Sequence, residues 1–588
     1  MNAILIIAKF SPGHGSGHLC RAVSLTCDLR ASGKKAFLFL SEYGENAEII
    51  FQSMNFNPSW RITNEEIKNG VEKIELVIMD NFRTEKNEIL RWKKIAPVAG
   101  IDEGGSFRDS FDFLIDILIP EKTAFPKANI SSPSLLKFPP LPLPKKNSTG
   151  GIWKVLITFG QEDAAGLGLK TARALCATDG IDITLLRGVL SKAEIEHLPN
   201  VKVLRAIPSL AERLGEYDIV ITHYGITAYE ALYSGTAVLL ASPTKYHAKL
   251  AKEAGFYCIS RHFIFSPAFM RKLEKHCEEL AVKYKLREKI SLASICGGFL
   301  PQINRACPVC NANAPERSVS RFSERTYRRC LNCGVIYMDR ISPAPIEYER
   351  EYFFESYKRQ YGKTYLEDFD NIKNAGKRRV KIINSLLARE RVQKPALLDI
   401  GCAYGPFLSA AKEEGFSPAG IDPAQDAVRY VQNELGIPAV HGFFPSCPVP
   451  SEPPFDAVTL WFVIEHFTDC APVLAAIKKI LKDRGILAFS TPSFSGISGK
   501  SNQQRFLSAS PADHFTVWSP KMCAKALALS GFKVKKTVIS GHHPERFPLL
   551  GKFAKSKKSP LYLPLLAISK FFGLGDTFEV YAQIKGRI

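Results

Sequence analysis

Two Cys-x-x-Cys pairs constrain this chain more strongly than any other feature of its sequence. The first pair is Cys307-Pro-Val-Cys310, and Cys330-Leu-Asn-Cys333 follows after nineteen intervening residues. Two pairs at this spacing can place four thiolates around one tetrahedral Zn²⁺, whereas a redox-active dithiol needs only one pair. Four protein ligands leave no open position on the metal. The sequence therefore predicts a structural zinc site rather than a catalytic one.

Length and composition indicate a globular protein of several domains. The chain has 588 residues, of which 46% are hydrophobic and 23% charged. No apolar run approaches the ~20 residues that cross a bilayer, and the N-terminal run "AILIIA" is too short for a signal peptide. We therefore expect a cytoplasmic protein whose cysteines are reduced or metal-bound. The net charge of +20 suits an anionic partner, although a basic solvated surface explains it equally well.

Two α/β blocks precede the cysteines. Short apolar runs alternate with helix-like stretches, which is typical of buried parallel strands. The first block contains the runs "AILIIA", "KAFLFLS", "IELVIMD" and "VAGID", and the second contains "KVLITFG", "IDITLLRG", "VKVLRAI", "DIVITHYG" and "TAVLLAS". A segment rich in proline and polar residues, 138–151, separates them. We predict two lobes, 1–140 and 141–300, with a cleft between them.

The rest of the chain is predicted to hold three further parts. These are a small zinc ribbon over 303–340, a helical connector over 341–394 and a third α/β domain over 395–588. Two late strands close the third domain, with an inserted helix near 559–575. This insertion is apolar and follows the basic stretch "KFAKSKKS", so it predicts an inserted lid helix, with a peripheral membrane contact as the alternative.

A glycine loop opens the third domain. In "LLDIGCAYG", Gly401 and Gly405 lie between a predicted strand and a predicted helix, where backbone amides can approach a ligand. Asp422 ends the next predicted strand, where a carboxylate can bind both hydroxyls of a ribose. Glu465 and His466 end the fourth predicted strand, where His466 could accept a proton or form a structural pair.

Residues 395–545 resemble class I S-adenosylmethionine-dependent methyltransferases. The matching pieces are "LLDIGCAYG", "GIDP", "FDAVTLWFVIEHFTD", "LKDRGILAFSTP" and "LSGFKV". The resemblance implies that Asp399 and the Gly401–Gly405 loop hold the methionine end of S-adenosyl-L-methionine, and that Asp422 holds the ribose. It also implies that Gly442 and Phe443 border the adenine. Ala403 stands where the family commonly has a glycine. The segment "SPADHFTVWSP" is expected to bring Asp513, His514 and Trp518 to the same cleft.

A second glycine loop, "GHGSGHLCR", lies near the N-terminus. Gly15, Gly17, His18 and Arg21 fit a Gly-x-Gly-His-x-x-Arg pattern. A dinucleotide site with Glu42 as the ribose acid is the rival interpretation, but His18 occupies the register of the third glycine. His18 is therefore predicted to be a general base, or a residue that caps the following helix.

The first half resembles GT-B-fold nucleotide-sugar hydrolases and glycosyltransferases, among them the UDP-sugar hydrolase of the pseudaminic acid pathway. Besides the loop, the resemblance rests on "GIDEGGSFRDSFDFLIDILIP", which contains Asp102, and on "ITHYGITAYEALYSGTAVLLASP". It implies nucleotide-sugar contacts at seven positions, which are Gly15, Gly17, Arg21, Asp102, Gly225, Thr227 and Glu230. A glutamine that the family has after a later strand is absent, and the chain has "TKYHAKLAKEAG" instead.

Together these patterns predict a bifunctional enzyme of nucleotide-sugar or surface-glycan metabolism. A GT-B-type transferase or hydrolase would be fused to a methyltransferase that acts on a sugar or a related small metabolite. Two alternatives remain open. One is a zinc-ribbon RNA methyltransferase, which the absence of an aromatic and basic RNA platform disfavours. The other is a methyltransferase with a non-catalytic sugar-binding module.

Overall fold

The computed structural model describes most of the chain. It omits residues 1, 11–16, 45, 71–72, 124–125, 140–151, 161–162, 164, 189–197, 206, 208, 260–265, 289, 300, 302, 314–315, 343–356, 359–361, 388–392 and 586–588, together with the side chains of residues 316 and 317. Gly15, most of the predicted linker and much of the predicted connector therefore lie outside the described residues. Among the described residues, no helix is both long and apolar enough to span a membrane.

The chain divides into two compact units. The first unit comprises Met1–Pro301 and Arg321–Glu324, and the second comprises Gln302–Ser320 and Arg325–Ile588. The cysteine-rich segment therefore belongs mostly with the third α/β domain, and the two N-terminal lobes form one unit.

The first unit is built on two parallel sheets. One sheet has the order β2-β1-β3-β4-β5-β6 and the other has the order β11-β10-β7-β8-β9. Their strands are β1 (Ala3–Phe10), β2 (Ala36–Tyr43), β3 (Ile74–Asp80), β4 (Val98–Ile101), β5 (Phe113–Asp116), β6 (Ile130–Ser131), β7 (Trp153–Thr158), β8 (Ile181–Leu186), β9 (Val201–Leu204), β10 (Ile219–Thr222) and β11 (Ala237–Leu240). All of the strands predicted in this half are present. They are continuous apolar runs because parallel strands are covered on both faces.

Ten helices surround these sheets among the described residues. They are α1 (Gly17–Ala31), α2 (Ala47–Ser53), α3 (Asn64–Lys68), α4 (Lys86–Lys93), α5 (Leu167–Leu175), α6 (Leu210–Arg213), α7 (Ile226–Tyr233), α8 (Lys245–Ala254), α9 (Pro267–Lys283) and α10 (Leu292–Gly297). Helix α1 buries Leu19, Val23 and Leu29 against the first sheet, as their spacing predicts. Helix α10, at the end of the second lobe, packs against α1 of the first lobe.

The second unit contains a seven-stranded sheet with the order β17-β16-β15-β18-β19-β22-β21. The strands are β15 (Ala396–Ile400), β16 (Ser417–Asp422), β17 (Ala439–His441), β18 (Phe455–Trp461), β19 (Leu481–Pro492), β21 (Phe532–Ser540) and β22 (Thr577–Ile584). Strand β22 is antiparallel to both of its neighbours, and the other described pairings are parallel. This is a Rossmann-like sheet, whose loops at the carboxyl ends of the parallel strands are where ligands bind in open α/β folds.

Eight described helices accompany this sheet. They are α11 (Phe369–Leu387), α12 (Pro406–Glu413), α13 (Gln425–Asn433), α14 (Cys470–Ile480), α15 (Ile497–Ser501), α16 (Gln503–Ser508), α17 (Pro520–Leu529) and α18 (Tyr562–Phe571). The structure has a 3-10 turn over Ile464–His466, after β18 ends at Trp461. Glu465 and His466 thus lie beyond the strand that the sequence predicts them to end.

A small antiparallel sheet carries the cysteines. It has the order β12-β13-β14-β20, with β12 (Glu316–Phe322), β13 (Arg325–Cys330), β14 (Ile336–Arg340) and β20 (Thr516–Val517). Strand β20 comes from the loop before α17, and it pairs with β14 through Ile336 opposite Val517. The buried cysteines share one hydrophobic core with the large sheet. The two parts are therefore packed as one body.

Candidate functional site

The glycine loop of the second unit is held in a conformation that its sequence requires. Gly401 has φ +72°, and a Cβ added to it would lie 2.4 Å from Cγ2 of Val463. Gly405 has φ +75° and begins α12. Ala403 also adopts a left-handed φ of +47°, which is uncommon for a residue with a side chain. The position where the family commonly has a glycine therefore keeps a glycine-like backbone.

A buried carboxylate ties this loop to the next strand. Asp422 is 4% exposed and ends β16. Its Oδ2 accepts a hydrogen bond from the amide of Ala403 at 2.7 Å, and its Oδ1 accepts one from Ala424 at 2.8 Å. Burial raises the pKa of Asp422 to about 6. Carboxylate oxygens can accept further hydrogen bonds, so Asp422 fits the predicted role of holding ribose hydroxyls.

The other predicted cofactor residues surround the same edge of the sheet. Asp399 is buried and accepts a hydrogen bond from Oγ1 of Thr459 at 2.6 Å, while burial raises its pKa to about 7. Gly442 donates its amide to the carbonyl of Asp422 at 3.0 Å. The neighbouring Phe443 ring is 64% exposed, which leaves its face accessible to an aromatic ligand. Together with Asp422, these residues fit S-adenosyl-L-methionine.

Two tyrosines beside the loop were not identified from the sequence. Tyr365 and Tyr404 have ring centroids 6.2 Å apart, and Tyr365 packs on the cluster that contains Ala403 and Ala424. Burial, with contributions from Asp399 and Asp422 among the nearby groups, raises the pKa of Tyr365 well above its ordinary value. The aromatic composition of the segment before α11 was a signal, but it did not indicate which ring would reach the loop.

His466, in the segment that follows Val463, is paired with Asp513 from the loop before β20. Nδ1 of His466 is 3.0 Å from Oδ2 of Asp513. Burial alone would lower the pKa of His466, but the hydrogen bond to Asp513 and the charges of Glu465 and Asp513 raise it above its ordinary value. Conversely, burial alone would raise the pKa of Asp513, but His466 lowers it to about 2. Asp513 therefore stays ionised and orients a histidine of increased basicity.

Glu465 and His514 complete this group. Burial raises the pKa of Glu465 to about 7, and burial together with the charge of His466 lowers that of His514 to about 3. The ligand atoms of Glu465, His466 and His514 all lie within 4.8 Å of one another. The group can therefore move a proton, and it could also hold a cation. Trp518 does not join it, because this residue is 1% exposed and packs against Phe489 in the core. The prediction that Trp518 faces the cleft is wrong.

The small antiparallel sheet holds the loop that carries Asp513. The amide of Met338 in β14 donates to the carbonyl of Phe515 at 2.9 Å, and the amide of Phe515 donates to the carbonyl of Glu465 at 2.8 Å. Nη1 of Arg340 donates to the carbonyl of Ala512 at 3.1 Å. The cysteine-bearing sheet therefore fixes the chain on both sides of Asp513.

The four cysteines form two knuckles of the same geometry. The amides of Asn311 and Gly334 donate to the carbonyls of Cys307 and Cys330 at 2.8 and 2.9 Å, and both residues adopt a left-handed φ. Sγ of Cys307 is 3.6 Å from Sγ of Cys333, and Sγ of Cys310 is 3.8 Å from Sγ of Cys330. Tetrahedral Zn–S bonds of ~2.3 Å require sulfur atoms about 3.8 Å apart. The four cysteines therefore fit a structural Zn²⁺ in their identity, their turns and their spacing.

In the first unit, His18 is paired with an aspartate that the sequence did not reveal. Nδ1 of His18 lies 2.6 Å from Oδ1 of Asp80, the last residue of β3. Arg21 donates to both oxygens of Asp80, from Nε at 2.7 Å and from Nη2 at 2.6 Å. Burial alone would raise the pKa of Asp80, but Arg21, followed by His18, lowers it below its ordinary value. The signal that could have found Asp80 was its position as an acid at a strand end.

Arg21 also connects to Asp102, as part of a buried network. Its Nη1 donates to Oδ2 of Asp102 at 2.5 Å. Oδ1 of Asp102 accepts the amides of Ile117, Leu118 and Ile119 at 2.7, 2.8 and 3.2 Å. All the oxygens of Asp102 are thus used by the protein. These contacts indicate that Asp102 has a structural role in addition to its predicted role in nucleotide-sugar binding.

The predicted residues of the two N-terminal lobes lie close together. A Cβ on Gly17 would be 4.0 Å from Cδ1 of Ile226 in the first turn of α7, and Oη of Tyr224 donates to the carbonyl of Leu118 at 2.7 Å. Gly225 begins α7, and Thr227 lies in its first turn.

Farther along the same helix, burial raises the pKa of Glu230 to about 7. The rival acid Glu42 lies at the end of β2 and forms an ion pair with Lys9. The ion pair therefore gives Glu42 a structural role that does not depend on a bound dinucleotide.

Comparisons with known proteins identify one part of the chain. Residues 373–537 match the family model of a methyltransferase domain, and this region is a class I S-adenosylmethionine-dependent methyltransferase domain. No curated protein matches the chain in sequence.

Solved structures that resemble the chain include methyltransferases of low sequence identity. The magnesium protoporphyrin IX methyltransferase of Synechocystis PCC 6803 is 13% identical, covers 40% of this chain and 98% of its own, and has a TM-score of 0.27. A methyltransferase of Archaeoglobus fulgidus is 20% identical, covers 35% of this chain and 94% of its own, and has a TM-score of 0.25. A methyltransferase of Mesorhizobium loti is 17% identical, covers 34% of this chain and 96% of its own, and has a TM-score of 0.24.

Proposed function

We propose that the second unit transfers a methyl group to a hydroxyl of a sugar or a related small metabolite, with His466 as the base. S-adenosyl-L-methionine supplies the methyl group when bound. The observation that carries the proposal is the hydrogen bond between His466 and Asp513. His466 closely follows Val463, whose side chain lies beside Gly401 of the cofactor loop. A histidine whose Nδ1 is held by a carboxylate exchanges protons through Nε2.

The chemistry assigned to each residue follows from its surroundings. Asp513 is ionised and orients the imidazole of His466, whose raised pKa favours proton uptake from a hydroxyl. His514 is neutral near pH 7 because its pKa is about 3, so it adds no positive charge that would oppose protonation of His466. Strongly shifted pKa values of buried groups at the ligand-binding edge of a sheet are typical of functional sites.

The test uses the full chain with methyl-labelled S-adenosyl-L-methionine and three acceptor pools: free sugars, nucleotide-sugars and RNA. We expect label in a sugar-containing pool, and a loss of about 10²–10⁴-fold in kcat for His466→Ala. His276→Ala, which changes a partly buried histidine of the first unit, is the matched control and should retain activity. Label in RNA alone would favour the RNA methyltransferase instead, and unchanged turnover of His466→Ala would exclude this residue as the base.

We further propose that the first unit binds a nucleotide-sugar and uses His18 to activate water or an acceptor hydroxyl. The supporting observations are the contact of His18 with Asp80 and the proximity of the adjacent Gly17 to Ile226 in the first turn of α7. The test measures release of sugar and nucleotide from UDP-sugars, with His18→Ala as the variant. Turnover that disappears in the variant supports a base. Binding without turnover in the wild-type chain would indicate the non-catalytic sugar-binding module.

A further inference from the structure

The connection between the last two strands of the second unit forms a surface of unusual composition. Strand β21 ends at Ser540 and β22 begins at Thr577, and these two residues are paired in the sheet. Residues 541–576, here called the insertion, contain α18 and two 3-10 turns, Pro544–Arg546 and Gly551–Phe553. The first turn packs against both α18 and the second turn. Thr577 is also paired with Pro492 at the end of β19, so the insertion starts and ends at the carboxyl edge of the sheet.

Helix α18 turns an apolar face toward solvent. Its buried residues are Leu565 and Ser569. Leu563, Ala567 and Phe571 recur every four residues on the opposite side, and Leu563 and Phe571 are 68% and 85% exposed. Pro564 and Ile568 extend the same exposed face. A helix on the surface of a soluble domain normally has the reverse arrangement, with polar residues outward.

The first part of the insertion adds further exposed apolar side chains. Leu549 is 87% exposed and has a φ of +62°, a conformation that is costly for a residue with a side chain. Leu550 and Phe553 are 49% and 59% exposed, and Phe572 after the helix is 64% exposed. Clusters of exposed large apolar residues mark interaction sites rather than ordinary surface.

Within the insertion, the charges of residues 549–575, which carry this apolar surface, all have one sign. Residues 549–575 contain no Asp or Glu. They contain five lysines, which are Lys552, Lys555, Lys557, Lys558 and Lys570. All five are exposed. Apolar side chains flanked by lysines are the composition of segments that lie in the interface of an anionic membrane.

We propose that the insertion docks on the surface of an anionic lipid bilayer. The exposed leucines and phenylalanines would enter the boundary between headgroups and acyl chains, and the five lysines would lie among anionic headgroups. A second copy of the chain fits this surface poorly, because a symmetric contact would bring the same lysines together. Docking in this way would turn the carboxyl edge of the sheet, with the methyltransferase site, toward the bilayer.

The test is co-sedimentation of the full chain with phosphatidylcholine vesicles that contain either no or 30% phosphatidylglycerol. Binding is expected only to the anionic vesicles, and it should weaken as salt is added. Leu563→Asp/Phe571→Asp should weaken binding at least tenfold. Lys555→Glu/Lys557→Glu/Lys558→Glu should weaken it at least as much, since each lysine near an anionic surface contributes about fivefold.

Matched controls change similar side chains elsewhere in the second unit. Leu529→Asp alters an exposed leucine of α17, and Lys521→Glu/Lys525→Glu alters exposed lysines of the same helix. These controls should bind like the wild type. The proposal is overturned if the chain ignores anionic vesicles, or if the controls lose as much binding as the insertion variants. It is also overturned if size-exclusion chromatography shows a dimer that Leu563→Asp/Phe571→Asp converts to a monomer while vesicle binding is unchanged.

Discussion

Both units place a histidine beside an aspartate at the carboxyl ends of parallel strands, but they hold the aspartate differently. Asp80 of the first unit is fully buried and bound by Arg21 through both carboxylate oxygens. Asp513 of the second unit lies in a loop that the cysteine-bearing sheet fixes through backbone hydrogen bonds. Its side chain is 20% exposed. One aspartate is held by an ion pair, and the other is held by strand pairing.

The difference shows what each arrangement does to the charge of the aspartate. Arg21 compensates the charge of Asp80, which keeps the pKa of that carboxylate low despite complete burial. The hydrogen bond and the charge of Asp513 instead raise the pKa of His466. The ion pair with Arg21 therefore positions Asp80 and also compensates its charge. Strand pairing positions Asp513, and the charge of Asp513 then acts on His466.

The largest expected effect comes from removing the cation of the first unit. Arg21→Met should destabilise that unit by about 3–5 kcal/mol, because Asp80 and Asp102 would remain as buried charges without their partner. Urea unfolding followed by hydrogen exchange in peptides from β1, β3 and β4 measures this loss. Lys137→Met, which removes an exposed partner of Asp28, should have little effect. A loss below 1 kcal/mol for Arg21→Met would show that the network does not depend on the ion pair.

Removing one of the four cysteines that fit a zinc ion should have the next largest effect, and it should act on the second unit. Cys330→Ser is expected to abolish zinc binding and to lower kcat for methyl transfer about 10²-fold, because a displacement of ~1 Å at a catalytic group costs that much. Zinc content and single-turnover rates measure the two outcomes. Cys176→Ser, outside the quartet, is the control. Loss of zinc with an unchanged rate would show that the small sheet does not position Asp513.

The smallest expected effect is a shift in pH dependence. His466 must be neutral to accept a proton, so kcat/KM should fall as the pH falls through its raised pKa. Asp513→Asn removes a carboxylate that, together with Glu465, raises this pKa, so the acidic limb of the pH–rate profile should move to lower pH. The position of the limb, measured from pH 5 to pH 9, is the relevant quantity. If the acidic limb of the kcat/KM profile stays in place, a group other than His466 titrates there.

Much of the fold could be predicted because local sequence specifies it. The apolar runs of the three α/β blocks became strands, since parallel strands are buried on both faces. Gly401 and Gly405 could be identified because their left-handed backbone favours glycine. The cysteine quartet could be identified because the type of ligand and the spacing of the two Cys-x-x-Cys pairs are properties of the sequence itself.

The partners of the two histidines could not be predicted. His18 and Asp80 are 62 residues apart in sequence, and Asp513 follows His466 by 47 residues. No periodicity connects such positions, and only the pairing of strands brings them together. The burial of Trp518 was missed for the same reason, because a loop residue becomes part of the core only when β20 joins β14.

The sequence by itself determined which groups this protein can use: four cysteines for a metal, two glycine loops, acids at strand ends and a basic, apolar insertion. The tertiary structure alone decided which of these groups meet. It paired each histidine with its aspartate, supplied one of them with an arginine and attached the other to the small sheet. The physical reason is that residue identity and short-range spacing are local properties, whereas burial, charge compensation and the orientation of the insertion arise only when distant segments pack together.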